Sequence, residues 1–137
     1  MSFDNIVQVL DETAVVAVVT TKANGQPVAT PIWSMVIDGV PYIRSVNGPE
    51  AAWYRHVRAG RPVAFALGDG SIAERDRVAA LALEREEVTT SYVPVDDEVQ
   101  AEIDDELWRK YASSPDSVRM MLSADARACT LRVEEAR

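Results

Sequence analysis

Asp38-Gly39 separates two extended runs, Pro27–Ile37 and Val40–Val46, and this dipeptide constrains the chain more than any other. Asp-Gly accepts the positive φ angles of a two-residue type I′ turn, so a β-hairpin is expected with its register already set. Counting outward, Ile37 faces Val40, Met35 faces Tyr42 and Trp33 faces Arg44. Ile32, Ser34 and Val36 fall on the other side with Ser45, Ile43 and Pro41, because side chains alternate along a strand. Pro31 and Pro41 cannot donate to a ladder, so each is expected at a bulge or facing an unpaired side.

The other elements follow from periodicity. Phe3, Ile6, Val7 and Leu10 have helical spacing,. Ala14–Thr21 is a β-branched run expected to be buried on both faces, and Asn24-Gly25 turns it into the second strand,. After the third strand, Val46-Asn47-Gly48-Pro49 reads as a helix start, with the helix running over Pro49–Ala59,. A fourth strand is expected over Pro62–Leu67. Arg75–Val88 is read as a fifth strand, against a composition that favours a helix,. Val95, Val99, Ile103, Leu107 and Tyr111 predict a helix over 96–111, its acids on a solvated face,. Ser114-Pro115 opens another helix, and Ala128–Val133 is a last strand.

Of five or six expected strands, mostly meander-connected, the first three cannot form a βαβ unit, since their connections are too short. The expected architecture is mainly β (α+β): a six-stranded antiparallel barrel with Greek-key elements and short helices packed outside, since closure removes exposed edges. One domain covers residues 1–137,.

Charge narrows the function. The chain carries −8 formally, yet between Gly39 and Gly68 the only acid is Glu50, against Arg44, Arg55, Arg58 and Arg61. A basic island on an acidic body points to a local anion site and away from a nucleic-acid face. Arg44 at a strand end, the Ser45–Gly48 loop and the following helix start are parts that hold a phosphate. Glu50 would compete with that anion. The longest apolar run is too short for a bilayer. No leader is expected from Ser2-Phe3-Asp4-Asn5, so a cytoplasmic protein is anticipated,. Cys129 lies in an alternating apolar run and reads as core,. His56 has no acid to pair it as a base, and no metal ligand set or nucleophile is visible,.

Taken together, TTKANGQP, TPIW, DG, YIRSVNG, WYRHVRA, PVAFALG and the later Lys110-Tyr111 resemble the split-barrel flavin-binding superfamily related to pyridoxamine phosphate oxidase. Within it they are most similar to a small bacterial family of undefined function. The resemblance implies a six-stranded split β-barrel that forms a homodimer with FMN between subunits, acting as an oxidoreductase on a small molecule. Thr30, Pro31, Ile32 and Trp33 would border the flavin ring, with Trp53 at its edge. Arg44, Ser45, Asn47 and Arg55 would serve the phosphate. The alternatives are a deazaflavin coenzyme, or a non-catalytic ligand-binding module with no cofactor. The deazaflavin enzymes usually carry a basic Gly-Arg-Lys-Ser-Gly turn where this chain has Lys22-Ala23-Asn24-Gly25-Gln26.

Overall fold

The structure is a computed structural model that describes residues 2–136. Helix α1 spans Ser2–Glu12, followed by β1 (Val16–Thr21), β2 (Pro27–Ile32), β3 (Met35–Ile37) and β4 (Val40–Arg44). Helix α2 is Ala52–Arg58, β5 Val63–Ala66, α3 Arg77–Ala80 and β6 Arg85–Tyr92. The chain finishes with α4 (Val99–Lys110), α5 (Pro115–Met121), α6 (Ala124–Arg127) and β7 (Thr130–Glu135). Short 3₁₀ turns occupy Gly48–Glu50 and Gly70–Glu74. No helix among the described residues is long and apolar enough to cross a membrane.

All strand pairs are antiparallel, in the order β2-β1-β5-β6-β7-β4-β3. The hairpin has the expected register, with Met35 opposite Tyr42 and Ile37 opposite Val40. Asp38 and Gly39 hold φ of 51° and 80°, as a type I′ turn requires,. In such a hairpin the pair after the turn is not hydrogen-bonded, so the Pro41 nitrogen points away from β3. It points toward β7, whose ladder begins only at Tyr42. Pro31 lies on β2, an edge strand. Each proline is therefore where its missing donor costs nothing.

The expected second strand is two strands, which raises the count from six to seven. It breaks at Trp33-Ser34, and β2 and β3 lie at opposite ends of the sheet order. A flat sheet of seven strands would set its outer strands roughly 29 Å apart, six gaps of about 4.8 Å,. The three steps from Ile32 to Met35 reach at most roughly 11 Å. The sheet must therefore curl until its ends meet, and Trp33-Ser34 is the seam. That is a split barrel with seven strands.

The seam is held without a ladder. Ser34 is fully buried. Its N–H donates to Tyr111 Oη at 3.1 Å, and its hydroxyl donates to the Leu10 carbonyl at 2.7 Å. Lys110 Nζ donates to Leu10 O at 2.7 Å and to Ser34 O at 2.9 Å. Tyr111 Oη donates to Ala14 O at 2.6 Å. One dipeptide on α4 thus satisfies the last turn of α1 and the broken strand together. Trp33 does not face Arg44. It stacks on Tyr111, with ring centroids 3.8 Å apart and planes 5° from parallel, because the strand break turns it out of the hairpin plane.

Three apolar clusters pack the sheet. Ile6, Leu10, Val16, Val18, Ile43, Trp53, Val57, Phe65 and Leu131 form the largest, joining α1 and α2 to one face. Met35, Tyr42, Ile103, Leu107 and Val118 seat α4 and α5 on the hairpin. Ala17, Val19, Ala29, Ala73 and Ala80 pack α3 and the preceding 3₁₀ turn on the far side of β1. Strand β1 is thus buried on both faces, as its continuous apolar run implies. Cys129 is buried in the first cluster.

Arg75–Val88 is not one strand. Asp76 Oδ1 accepts from Ala79 N–H at 3.0 Å and caps α3, and the strand begins only at Arg85. The Ala/Leu composition prevails over the meander pattern, and the β-branched Val88-Thr89-Thr90 stretch carries the strand instead. Helix α6, capped by the Ser123 hydroxyl, was not expected. The Ser114 side chain caps nothing.

Gly70 approaches the β1 backbone so closely that a Cβ would lie 2.2 Å from Ala17 N. Gly70→Ala should cost about 3 kcal/mol in urea unfolding, the upper end of overpacking costs, since backbone cannot yield as a side chain does. Lys110 supplies a pH signature. Burial lowers its ammonium from 10.5 to about 8, so between those values the unfolded chain binds more protons and stability rises with pH. Burial also raises the Cys129 thiol above its ordinary 9.0, and it opposes this from pH 9, as Tyr54 and Tyr111, pushed up to about 12, do from 10. Stability should therefore climb between pH 8 and 9 in the native chain, and the climb should vanish in Lys110→Met.

Candidate functional site

A cleft of about 560 Å³ opens beside the seam, within the range of small-molecule sites. One wall is the end of β2 with Thr30, Pro31, Ile32 and Trp33. Ser45, Val46 and Asn47, the loop after β4, form the second wall, and Ala51, Ala52 and Trp53 at the start of α2 form the third. Glu74, Arg77, Ser117, Met120 and Met121 close the rim. Of the residues expected at a site, Thr30, Pro31, Ile32, Trp33, Arg44, Ser45, Asn47 and Trp53 converge here. Arg55 does not line the cleft and is exposed on α2.

Local chemistry explains the shape. Ser45 is buried, and its hydroxyl donates to Gly48 O at 2.7 Å, folding the loop back on itself. Gly48 turns at φ 65° with Asp125 against it. The expected helix start is interrupted: Gly48–Glu50 is a 3₁₀ turn, Ala51 is extended, and α2 begins only at Ala52. The loop after β4 is therefore not the N-terminus of a long helix, and its anion-holding power rests on individual groups.

Arg44 sits on the cleft floor with its side chain fully buried. Nε donates to Thr130 Oγ1 at 3.0 Å and Nη2 to Gln100 Oε1 at 2.6 Å. Nη1 donates to Asp104 Oδ1 at 2.8 Å and to Met121 O at 3.0 Å. Asp104 also pairs with Arg127. Burial pulls the Arg44 guanidinium below its ordinary value, and Asp104 works against that fall. The acids of α4 are thus not all a solvated face. Gln100, Ile103, Asp104 and Leu107 share one stripe at helical spacing, and this spacing was the available signal,.

The free cation at the rim is Arg77, exposed and without a partner among the described residues. Sequence reasoning missed it by assigning 75–88 to a strand. Trp33 and Trp53 supply aromatic surface, and Met120 and Met121 supply adaptable apolar surface,. His56 is elsewhere: its Nδ1 bonds Thr20 Oγ1 at 2.9 Å, near the end of β1 remote from the cleft, since Val16 pairs Ile32 but Thr20 pairs Val28.

An antiparallel sheet curled shut at a strand break, with a cleft along that break, defines a split-barrel protein. The chain belongs to a bacterial family described as uncharacterized proteins conserved in bacteria, DUF2255, matched over residues 6–133. No curated protein matches it. Among solved structures it is similar to the conserved hypothetical protein Rv2991 of Mycobacterium tuberculosis, 20% identical over 99% of this chain and 80% of that one, TM-score 0.63. It is similar to HutZ, the heme storage protein of Vibrio cholerae, 15% identical over 96% and 88%, TM-score 0.65. It is also similar to a pyridoxamine 5′-phosphate oxidase candidate from Lactobacillus delbrueckii, 17% identical over 93% and 84%, TM-score 0.53. At these identities the likeness is one of fold.

Arg44→Met should cost about 1–3 kcal/mol, because Gln100 Oε1 and the Met121 carbonyl lose a buried donor while Asp104 keeps Arg127,. Thermal or denaturant unfolding reads this directly.

Proposed function

We propose that the chain binds a planar, phosphate-bearing cofactor of the flavin class, FMN first, in the cleft between Trp33 and Trp53. The carrying observation is the convergence of the β2 end, the loop after β4 and the start of α2 on one cavity of suitable size. Thr30, Pro31, Ile32, Trp33 and Trp53 would border the ring system. The ring half of the ligand fits these residues. For the phosphate, Asn47 and Arg77 are the accessible partners, while Arg44 shapes the floor from beneath and Arg55 stands away.

A bound flavin would supply electron and hydride transfer to a small-molecule substrate. The chain's own part is to hold and orient it: the Trp33–Tyr111 stack keeps the indole at a fixed angle, and the Ser45–Gly48 turn fixes Asn47,. Val46 and Met120, both exposed at the cleft, are surfaces that a second copy of the chain would cover, making a homodimer part of this reading. HutZ is named for heme storage, but a heme in this cleft would find only the Met120 and Met121 sulfurs as soft ligands among the lining residues. That favours the flavin.

Added FMN should lose fluorescence on binding, and Arg77→Ala or Asn47→Ala should weaken binding about tenfold, the size of one charge-assisted or polar contact. Absence of any bound fraction rejects the reading. Competition with a deazaflavin coenzyme separates the two cofactors, and reduction of the bound flavin by a nicotinamide donor separates an oxidoreductase from a binding module.

A further inference from the structure

The far end of β1 gathers charge that the cleft does not use. Helix α2 packs along β1, and its His56 hydrogen-bonds Thr20, whose hydroxyl is buried and has no other partner among the described residues. Arg61, just beyond α2, reaches back to the Thr21 carbonyl at 3.2 Å, and Thr21 Oγ1 donates to Pro62 O at 3.0 Å. These bonds lock the end of β1, the end of α2 and the start of β5 into one unit. Lys22 follows Thr21 directly and is held by the turn bonds Lys22 N–H to Gln26 O and Gly25 N–H to Lys22 O, both 2.9 Å. Arg55 precedes His56 on α2. The side chains of Lys22 and Arg55 are exposed and have no partner among the described residues.

No acid interrupts this group within β1, the turn after it, α2 or β5. Glu87 of β6, the strand paired with β5, lines a groove together with Arg61. In a protein of charge −8, three cations clustered without acids repel one another and hold a standing attraction for an anion at short range. Burial first, and then the field of Arg61, Arg55 and Lys22, keeps His56 below its ordinary value. With Thr20 fixing Nδ1, the Nε2 edge of the ring has no partner among the described residues.

We propose that this end of β1 is a second binding site, for a phosphoryl dianion, formed by Lys22, Arg55, His56 and Arg61. Two guanidinium groups and an ammonium match the charge and the several acceptor oxygens of a phosphate better than a carboxylate. The site is separate from the cleft and does not rest on the flavin reading. An arriving dianion offsets the cations around His56, so the imidazole takes up a proton from solvent as the anion binds. Binding and protonation are thus coupled: the bound dianion raises the midpoint at which His56 takes up its proton.

The test uses the intact chain, whose one histidine makes its ring-proton NMR signal unambiguous. His56 is titrated in inorganic phosphate and in chloride at equal ionic strength. The midpoint should rise by about half a unit or more in phosphate, the scale of a close charge on a partly exposed group. Arg55→Met and Lys22→Met, both at exposed positions, should weaken phosphate binding about tenfold or more, as the loss of a charge-assisted contact does. A midpoint that is the same in both salts overturns the site, and so does a phosphate response abolished by Arg77→Ala in the cleft. FMN and riboflavin serve as further probes. A shift with FMN but not riboflavin identifies the phosphate of a larger ligand as the source, and a shift with inorganic phosphate alone identifies the free ion. Failure of FMN to enter the cleft leaves the inorganic-phosphate result standing.

Discussion

Everything in this molecule is arranged around a break of two residues. Trp33 and Ser34 join the strands at opposite ends of a seven-stranded sheet, and so short a connection forces the sheet to close on itself. The closure lacks ladder hydrogen bonds, so the polar groups of Ser34 need other partners. They find them in Tyr111 and Lys110 of α4 and in the last turn of α1. The amphipathic helix far along the chain is therefore part of the barrel, not a decoration on it.

The same break creates the cleft. Turning Trp33 out of the hairpin removes it from Arg44 and lays it flat on Tyr111, where it presents one edge to the cavity. Beneath the cavity, Arg44 ties β4 to α4, β7 and the end of α5. A buried arginine with a partner at each of its three nitrogens is a geometric device. It fixes where the loop after β4 begins and leaves recognition to groups that water can reach. That division separates a floor of high structural cost from a rim whose residues, Asn47 and Arg77 among them, can vary without unfolding the chain.

Much of this was legible in the residues. Asp38-Gly39 set a hairpin register that the structure reproduces from Ile37–Val40 out to Met35–Tyr42, since a two-residue turn leaves no freedom in counting, and that ends where the strand breaks before Trp33 can meet Arg44. The β-branched run of β1 gave its burial correctly, and the four-residue spacing of α4 gave Ile103, Leu107 and Tyr111, while Val95 lies exposed before the helix begins. The split-barrel likeness identified the segments that meet at the cleft. Three things were not legible. Arg75–Val88 divides into α3 and the start of β6, because local propensity prevailed over the pattern of the neighbouring strands. Asp104 looked solvated because an acid beside other acids says nothing about a guanidinium sixty residues earlier in the chain. The break at Trp33-Ser34 looked like strand because apolar residues flank it on both sides without a turn residue between them.

By itself, then, the order of residues determined the local geometry: where turns fall, which faces are apolar, and which segments are extended. These depend on backbone preferences and on a repeat of two or of 3.6 residues, which neighbours in the chain suffice to express. Only the folded molecule decided which charges are paired and which are free. Arg44, Arg55 and Arg77 are chemically alike in the sequence, yet one is enclosed with acceptors on every side, one stands by a histidine, and one faces the cleft. That difference comes from long-range packing, because the worth of a charge is set by the solvent and partners around it, and those arrive from distant parts of the chain.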